Sequence, residues 1–224
     1  NFEKPYFAVS VKDFWKRWHI SLTSWFRDYL YIPLGGNRKG RIRKYRNIMI
    51  VYFVSGIWHG ANWTFLAWGG VHGIYQIIAD ATKHMRRNII EKLHIKTDVF
   101  SWRFLQAAST FLLVDFAWIF FRADSIADAL GIIRNMFVWN PWILSDGTLY
   151  TFGFDYKDFD IAFIGILLLG VADTFRGNRK IRLWLGQQNI VFRWTIYLGV
   201  IFWIMIFGVY GATYDASSFI YFQF

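Results

Sequence analysis

Residues 47–82 read NIMIVYFVSGIWHGANWTFLAWGGVHGIYQIIADAT, and this stretch decides the fold. No Asp, Glu, Lys or Arg occurs from Asn47 to Ala79, whereas the basic runs RKGRIRKYR (38–46) and KHMRR (83–87) flank the stretch. Near its middle, His59 lies inside the motif SGIWHG. A titratable side chain in a long apolar segment is costly, so it requires either a hydrogen-bonding partner or a chemical role.

The same stretch is too long for one membrane crossing, which takes about 20 residues. Two glycines and an asparagine fall within Gly56–Asn62, and such residues interrupt helices. We therefore predict a helix, a break at His59 and a second helix, folded as a re-entrant hairpin. A hairpin returns the chain to the side from which it came. The loop 83–103 agrees, because its six basic residues against Glu91 and Asp98 match the basic loop before the hairpin.

The composition is typical of a membrane protein. Of 224 residues, 55% are hydrophobic, 22% are aromatic and 18% are charged, against about 25% charged in an average soluble protein. The many Trp, Tyr and Phe residues fit the aromatic belts at membrane interfaces. The net charge of +10 resides in short loops between apolar runs, which favours a positive-inside topology over nucleic-acid binding. We predict a multi-pass protein of the cell (plasma or inner) membrane, with the lipid bilayer as a partner and no nucleic acid.

An amphipathic helix is predicted before this stretch, starting at Ser10 and ending before Pro33. Ser10 followed by Asp13 fits an N-cap with an acidic residue at the third position. Apolar residues then recur at helical spacing: Phe14, Trp15, Trp18, Leu22, Trp25, Phe26 and Tyr29. The apolar stripe is narrow and both flanks are charged, so we expect an interfacial or re-entrant helix, with His19 on or beside its aromatic face.

Three further apolar runs predict membrane spans, at residues 104–121, 161–175 and 195–211. The loops alternate in charge. Residues 38–46 and 176–193 are basic and are placed in the cytoplasm, whereas 123–160 holds six Asp and is placed outside. A short amphipathic helix is expected over residues 126–137, and the tail 212–224 is expected to end outside.

The predicted fold is therefore all-α, a polytopic transmembrane protein with re-entrant or interfacial helices. Residues 1–224 are expected to form a single membrane domain. Because the chain opens on Asn1 rather than Met, we expect it to be the C-terminal part of a longer protein, with N-terminal helices missing. The chain has no cysteine, which excludes disulfide and thiol chemistry within it.

His59 has two interpretations that residue chemistry alone leaves equally good. The side chain could simply pack, with a neighbouring helix carbonyl satisfying it. Alternatively, its flanking glycines let a substrate approach closely, and a neutral imidazole can accept the proton of a hydroxyl. On sequence grounds alone, His19 and His72 are expected to pack or form hydrogen bonds. His84 and His94 are expected to be solvated.

Asp115 is the other outlier, because a carboxylate in the middle of a span costs on the order of 3 kcal/mol on insertion scales. It either pairs with Arg122 or faces a cavity. No histidine spacing predicts a metal site, and no Gly-x-Ser-x-Gly elbow indicates a serine hydrolase. The run Gly35–Gly40 lacks the Gly-Lys-Ser/Thr ending of a phosphate-binding loop. It is either a basic turn or a contact for anionic lipid or donor phosphates.

Four segments together resemble a known family. They are DFWKRWHISLTSWFRDYLYIPLGGNRKG (13–40), FVSGIWHGANWTFLAWGGVHG (53–73), FAWIFFRADSIADA (116–129) and FIYFQF (219–224). They look like the membrane-bound O-acyltransferases (MBOAT family) and are most similar to the bacterial alginate O-acetyltransferase branch. The related D-alanyl transferases of teichoic acid share both histidine motifs, but do not typically show the LYIPLGGNRKG segment.

This resemblance implies a multi-helix membrane fold with a thin, tunnelled centre. It implies a catalytic role for His59, which lies in the Trp-His-Gly motif. It also implies a functional role for His19, which lies in the Trp-His-x-Ser motif.

The implied activity is that of an O-acetyltransferase. An acyl group, most simply acetyl, would pass from a cytoplasmic thioester such as acetyl-CoA toward hydroxyls of a cell-envelope polysaccharide. The thioester is the substrate and no bound cofactor is expected. An extracytoplasmic polysaccharide or a partner acetyltransferase would receive the group. Two alternatives remain: D-alanyl transfer to teichoic acid, and a proton-coupled transporter or flippase with His19, His59 and Asp115 as proton relays.

Overall fold

The computed structural model describes residues 1–138, 141–142, 145–147, 156–175 and 181–208. All regular structure in these residues is helical, which confirms the all-α prediction for this part of the chain. The helices are α1 (Val11–Arg17), α2 (Ile20–Phe26), α3 (Arg41–Trp58), α4 (Trp63–Ala81), α5 (Lys83–Lys92), α6 (Phe100–Arg122), α7 (Ile126–Asn135), α8 (Tyr156–Phe175), α9 (Ile181–Gly186) and α10 (Ile190–Phe207). A 3₁₀ turn, Pro5–Phe7, precedes α1, and a π-helical turn, Arg27–Tyr31, follows α2.

The predicted amphipathic helix begins where expected but is broken in the middle. The hydroxyl of Ser10 accepts a hydrogen bond from the backbone N–H of Asp13 at 3.1 Å, so the predicted N-cap is confirmed. The prediction of one continuous helix was wrong, because Trp18 is extended and His19 is left-handed (φ 44°, ψ 57°) between α1 and α2. Trp18 stacks on the ring of Phe14 at 5.5 Å, and this packing outweighs the helical periodicity of the sequence.

The hairpin in the uncharged stretch is confirmed. Helix α3 ends at Trp58, α4 begins at Trp63, and His59 lies in the break. The side chain of Asn62 caps α4 by accepting a hydrogen bond from the backbone N–H of Thr64 at 3.1 Å. The sequence thus ends one helix and starts the next within four residues.

Glycines let the two arms of the hairpin pack with their backbones in contact. A Cβ at Gly69 would overlap the carbonyl oxygen of Tyr52, and one at Gly56 would overlap that of Phe65. One turn after Gly69, a Cβ at Gly73 would lie 2.6 Å from Met49 Sδ. Small residues four apart on one helix face are the usual means by which membrane helices approach closely.

Polar contacts close the basic end of the hairpin. Lys44, near the start of α3, forms an ion pair with Asp80, near the end of α4, and the hydroxyl of Tyr45 donates to the same carboxylate at 3.1 Å. Asn47 is buried and donates from its amide nitrogen to the carbonyls of Leu34 and Gly36, at 3.0 Å each. The turn before α3 is thereby fixed against the hairpin.

Within the residues that the structure describes, two helices, α6 and α10, are long and apolar enough to cross a membrane. Only 22% of the apolar window of α6, and none of that of α10, is buried inside the protein. The core helix of a soluble protein would be mostly buried, so the exposure of α6 and α10 suits lipid contact better. A shorter apolar segment, Phe159–Val171, lies within α8 and overlaps the span predicted at residues 161–175.

The boundaries of the predicted loops need correction. Helix α5 occupies part of the loop expected over 83–103, and α9 lies within the basic loop expected over 176–193. The amphipathic helix expected over 126–137 is confirmed as α7. The tail 212–224, including the motif FIYFQF, lies outside the described residues.

The described residues fall into two compact units, residues 1–138 and the part that contains α8, α9 and α10. Helices α3, α4 and α6 form the centre of the first unit, with α1 packed against α4 and α6. The single domain predicted for residues 1–224 stays a prediction. Both sequence-predicted site residues, and the rings that surround them, belong to the first unit.

Candidate active site

His59 lies inside a cage of aromatic rings drawn from three helices. Its side chain is buried, with 7% of the residue exposed. Ring centroids lie 4.9 Å away at Trp58, 5.2 Å at Trp68, 5.0 Å at Phe121 and 6.2 Å at Phe65. Since α3, α4 and α6 each supply a ring, the position of the imidazole depends on the packing of all three.

The local sequence explains why the imidazole is placed in the break. His59 keeps a helical backbone conformation at the end of α3, and Gly60 then adopts φ 144°, which other residues rarely adopt. The amide nitrogen of Asn62 donates to the backbone carbonyl of Asp124 at 3.0 Å. This bond ties the break to the segment that follows α6, so the glycine turns the chain and the asparagine anchors it.

His19 lies at the break between α1 and α2, in the left-handed conformation. It is half-buried, its ring contacts Phe2 at 6.1 Å, and its Nδ1 lies 3.2 Å from the amide nitrogen of Asn1. Because the amide donates to Nδ1, a neutral His19 carries its proton on Nε2. A non-glycine residue with positive φ is uncommon and persists only where the surroundings impose it.

The structure brings the two histidines into the same neighbourhood, although 40 positions separate them in the sequence. His19 lies within electrostatic range of His59. A continuous row of rings also links the two motifs: Trp18 contacts Trp118 at 5.4 Å, Trp118 contacts Phe121 at 5.1 Å, and Phe121 contacts His59. Helix α6 supplies the middle of this row. The catalytic roles of the two histidines stay predictions.

The other histidines lie where packing or solvent explains them. His72 is fully buried in α4, and its Nδ1 accepts a hydrogen bond from the indole N–H of Trp15 at 3.3 Å, as expected of a packed histidine. His84 and His94 are exposed, also as expected. Across the part of the chain that the structure describes, no three His, Cys, Asp or Glu residues are grouped to hold a metal ion.

Asp115 does not pair with Arg122, so one of the two explanations for this mid-span carboxylate was wrong. Among the described residues, the ion pairs are Arg17–Asp13, Arg27–Asp28, Lys44–Asp80 and Arg87–Glu91. Asp115 is exposed on α6.

Sequence reasoning missed the rings that form the cage. Trp68, Trp118 and Phe121 all lie in segments used to predict helices or the family resemblance, but none of them was singled out. A usable signal exists for Trp68: it lies four positions before His72 and four after Thr64, so the three share one face of α4. All three are buried.

Comparison with known proteins places these motifs in one family. Residues 1–106 match the model of the membrane-bound O-acyltransferase family, a range that includes His19 and His59. A Pseudomonas putida protein named as a probable alginate O-acetylase is 38% identical over 80% of this chain and 35% of its own length. The Helicobacter pylori peptidoglycan O-acetyltransferase is 42% identical over 61% of this chain and 24% of its own length.

A more remote relative is named for a different activity. The teichoic acid D-alanyltransferase of Streptococcus thermophilus is 38% identical over 40% of this chain and 23% of its own length. The chain spans about a third of the length of the curated alginate O-acetylases that it matches. The matched family and the relatives agree with the two histidine motifs, and the chain belongs to the membrane-bound O-acyltransferase family.

Proposed function

We propose that this chain forms the histidine-bearing part of a multi-pass membrane O-acyltransferase. It transfers an acyl group, most specifically acetyl, from a cytoplasmic thioester toward hydroxyls of a cell-envelope polysaccharide. The observation that carries this proposal is the continuous row of packed rings that connects the two histidine motifs within one helical unit, from Trp18 beside His19 to His59. A histidine that only packs needs no second imidazole nearby.

His59 is the general base in this proposal. It removes the proton of an acceptor hydroxyl while the hydroxyl oxygen attacks the acyl carbon of the thioester. The carbon–sulfur bond then breaks, and the proton passes from His59 to the departing thiolate. The rings of Trp68 and Phe121 exclude bulk water from the imidazole, so the thioester is protected from hydrolysis.

His19 acts beside His59 and is held by its own backbone. Its left-handed conformation fixes the imidazole at the junction of α1 and α2, and the contacts to Asn1 and Phe2 orient the ring. A neutral His19 presents its Nε2 proton, which suits it to hold an acceptor or donor oxygen near His59. We assign His19 a substrate-orienting role.

Extent of similarity supports acetyl over D-alanyl transfer. The proteins named as alginate O-acetylases match up to 80% of the chain, whereas the D-alanyltransferase matches 40%. The segment LYIPLGGNRKG, which resembles the acetyl-transferring branch, is held in place by Asn47. An extracytoplasmic polysaccharide, or a partner acetyltransferase that delivers to it, completes the reaction on the far side of the membrane.

A His59→Ala replacement tests the proposal. General base catalysis contributes about 10²–10⁴-fold, so we expect acyl transfer by the complete protein to fall by at least about 100-fold. The measurement is O-acetylation of the polysaccharide, together with the amount of folded protein in the membrane. His84→Ala is the matched control, because His84 is exposed on α5, and it is expected to retain activity. Normal acetylation by the His59→Ala protein would refute the proposal.

A further inference from the structure

Two neighbouring tryptophans, one in the cage and one packed against it, bury indole N–H groups that meet no acceptor among the described residues. They are Trp68 on α4 and Trp118 on α6. Trp68 is 1% exposed, and its Nε1 is inaccessible to solvent. An indole N–H is only a donor, and buried donors are nearly always satisfied, so a pair without acceptors in one cluster requires an explanation.

The two indoles lie together, and Trp68 lies beside His59. Their ring centroids are 6.1 Å apart and their planes differ by 28°. Trp68 also lies 5.2 Å from the His59 ring, and both indoles contact Phe121 at 5.1 Å. The unpaired donors therefore belong to the same cluster as the proposed general base.

Nearby tryptophans show that the protein can satisfy an indole where the role is structural. The indole of Trp15 contacts Trp68 at 5.7 Å, and its N–H donates to His72. Trp63 at the start of α4 is 75% exposed, so the protein does not enclose its N–H. Trp68 and Trp118 have neither solution, since each Nε1 is buried without a partner among the described residues.

We infer that Trp68 and Trp118 bind the carbonyl oxygen of the acyl group and stabilise the negative charge that develops on it. This inference rests on the proposed function. When the oxygen of the acceptor hydroxyl bonds to the acyl carbon, the π-electron pair of the carbonyl moves onto the carbonyl oxygen. The pair re-forms the carbonyl double bond when the carbon–sulfur bond breaks. Because each Nε1 is closed to solvent, the rings must move apart to admit the carbonyl, and donors in a water-excluded site then stabilise the oxyanion. The ligand chemistry is a thioester carbonyl, not a free anion.

The two donors come from different helices, and this has a consequence for assembly. Trp68 is fixed on α4, which also carries the break at His59, whereas Trp118 is fixed on α6. The carbonyl site is therefore complete only when α6 packs against the hairpin. In this packing both indoles contact Phe121, so the three rings form one cluster.

The test removes only the N–H of Trp68. Incorporation of 3-benzothienylalanine at position 68 replaces the ring N–H by sulfur and keeps a fused bicycle of similar size. Loss of one such donor lowers kcat by about 10²–10³-fold, and we expect this loss with little change in KM for the thioester. The same replacement at position 118 is expected to lower kcat in the same way. The same replacement at the exposed Trp63 is the matched control and is expected to leave kcat unchanged.

The outcomes separate this inference from the proposed function. All variants are made in the complete protein and compared at equal amounts of folded protein, after their thermal midpoints have been shown to match. The His59→Ala variant is measured alongside them. If His59→Ala is inactive but the position 68 analogue turns over normally, the tryptophan role is refuted and the proposed function stands. A raised KM with unchanged kcat would also refute it, because it would indicate binding without transition-state stabilisation. If His59→Ala stays active, the proposed function itself fails.

Discussion

At the scale of single residues, His19 is one of three described non-glycine residues with a left-handed backbone, beside Lys4 and His94. A left-handed conformation disfavours a side chain with a Cβ, and glycine or asparagine would be the usual choice. The sequence has histidine there, between an extended Trp18 and the first turn of α2. Strained residues that persist tend to lie at functional sites, which supports the role proposed for the imidazole of His19.

Two replacements of His19 separate the imidazole from the backbone. Both His19→Ala and His19→Gly remove the ring and its contact with Asn1, but only glycine adopts φ 44° without strain. We expect both proteins to lose most acyl transfer. We also expect the glycine protein to be more stable than the alanine protein by about 1 kcal/mol. Thermal unfolding in detergent and an acetylation assay measure the two effects.

Two results would contradict this prediction. Wild-type transfer by His19→Gly would show that the imidazole is not needed. Equal stability of the glycine and alanine proteins would show that the left-handed backbone carries no strain.

Residue chemistry singled out His59, and the family resemblance singled out His19, but neither predicted their surroundings. His59 was conspicuous because it interrupts an uncharged stretch, and His19 because it shares a family motif. Trp68 and Trp118 were not conspicuous, because nothing in the local sequence distinguishes them among 13 tryptophans as the two whose indole N–H groups are buried without an acceptor. Whether an indole N–H finds an acceptor depends on three helices packing together, which no single segment encodes.

At the scale of elements, the α3–α4 hairpin depends on backbone contact between its arms. Gly56 on α3 meets the backbone of α4 at Phe65, and Gly69 on α4 meets the backbone of α3 at Tyr52. Carbonyl oxygens in helices cannot move aside as a flexible side chain can. Any side chain at these positions forces the helices apart, and His59 sits at the junction they form.

A Gly69→Ala replacement should therefore destabilise the hairpin. The added methyl overlaps the carbonyl of Tyr52, and overpacking of this kind costs about 1–3 kcal/mol. We expect a lower thermal midpoint and weaker acyl transfer. Gly131→Ala on α7 is the matched control, because nothing lies within 4 Å of its added methyl. Alanine favours helix over glycine by about 0.5–1 kcal/mol, so this control should be neutral or stabilising.

The prediction fails if Gly69→Ala and Gly131→Ala change the thermal midpoint alike. That result would mean that the arms separate at no cost, and that backbone contact does not hold the junction at His59.

The hairpin was predictable from sequence and the break between α1 and α2 was not. Glycines and Asn62 interrupt the uncharged stretch, and they carry a local conformational signal. Through Trp18 and His19 the apolar spacing continues without interruption, so periodicity alone favours one helix. The break comes from tertiary packing, with Trp18 on Phe14 and Trp118.

At the scale of the whole chain, exposed apolar surface and loop charge support the same membrane arrangement. The apolar windows of α6 and α10 are largely unburied within the protein. The turn before α3 carries Arg38, Lys39 and further basic residues, which by the positive-inside rule belong in the cytoplasm. The chain from that turn to the Asp-rich segment after α6 contains the α3–α4 hairpin, which returns to the side from which it came, and then α6, which crosses the membrane once in the predicted topology. These two segments should therefore lie on opposite sides of the membrane.

Cysteine labelling tests this topology directly. Lys39→Cys and Ser145→Cys both place a thiol at an exposed position, and the chain itself has no cysteine. In intact cells, with no other reactive cysteine in the complete protein, an impermeant maleimide should label position 145 and leave position 39 unlabelled. Both should react once the membrane is permeabilised. The opposite pattern in intact cells would invert the orientation and place the thioester on the wrong side of His59. Labelling of both positions would mean that α6 does not cross the membrane.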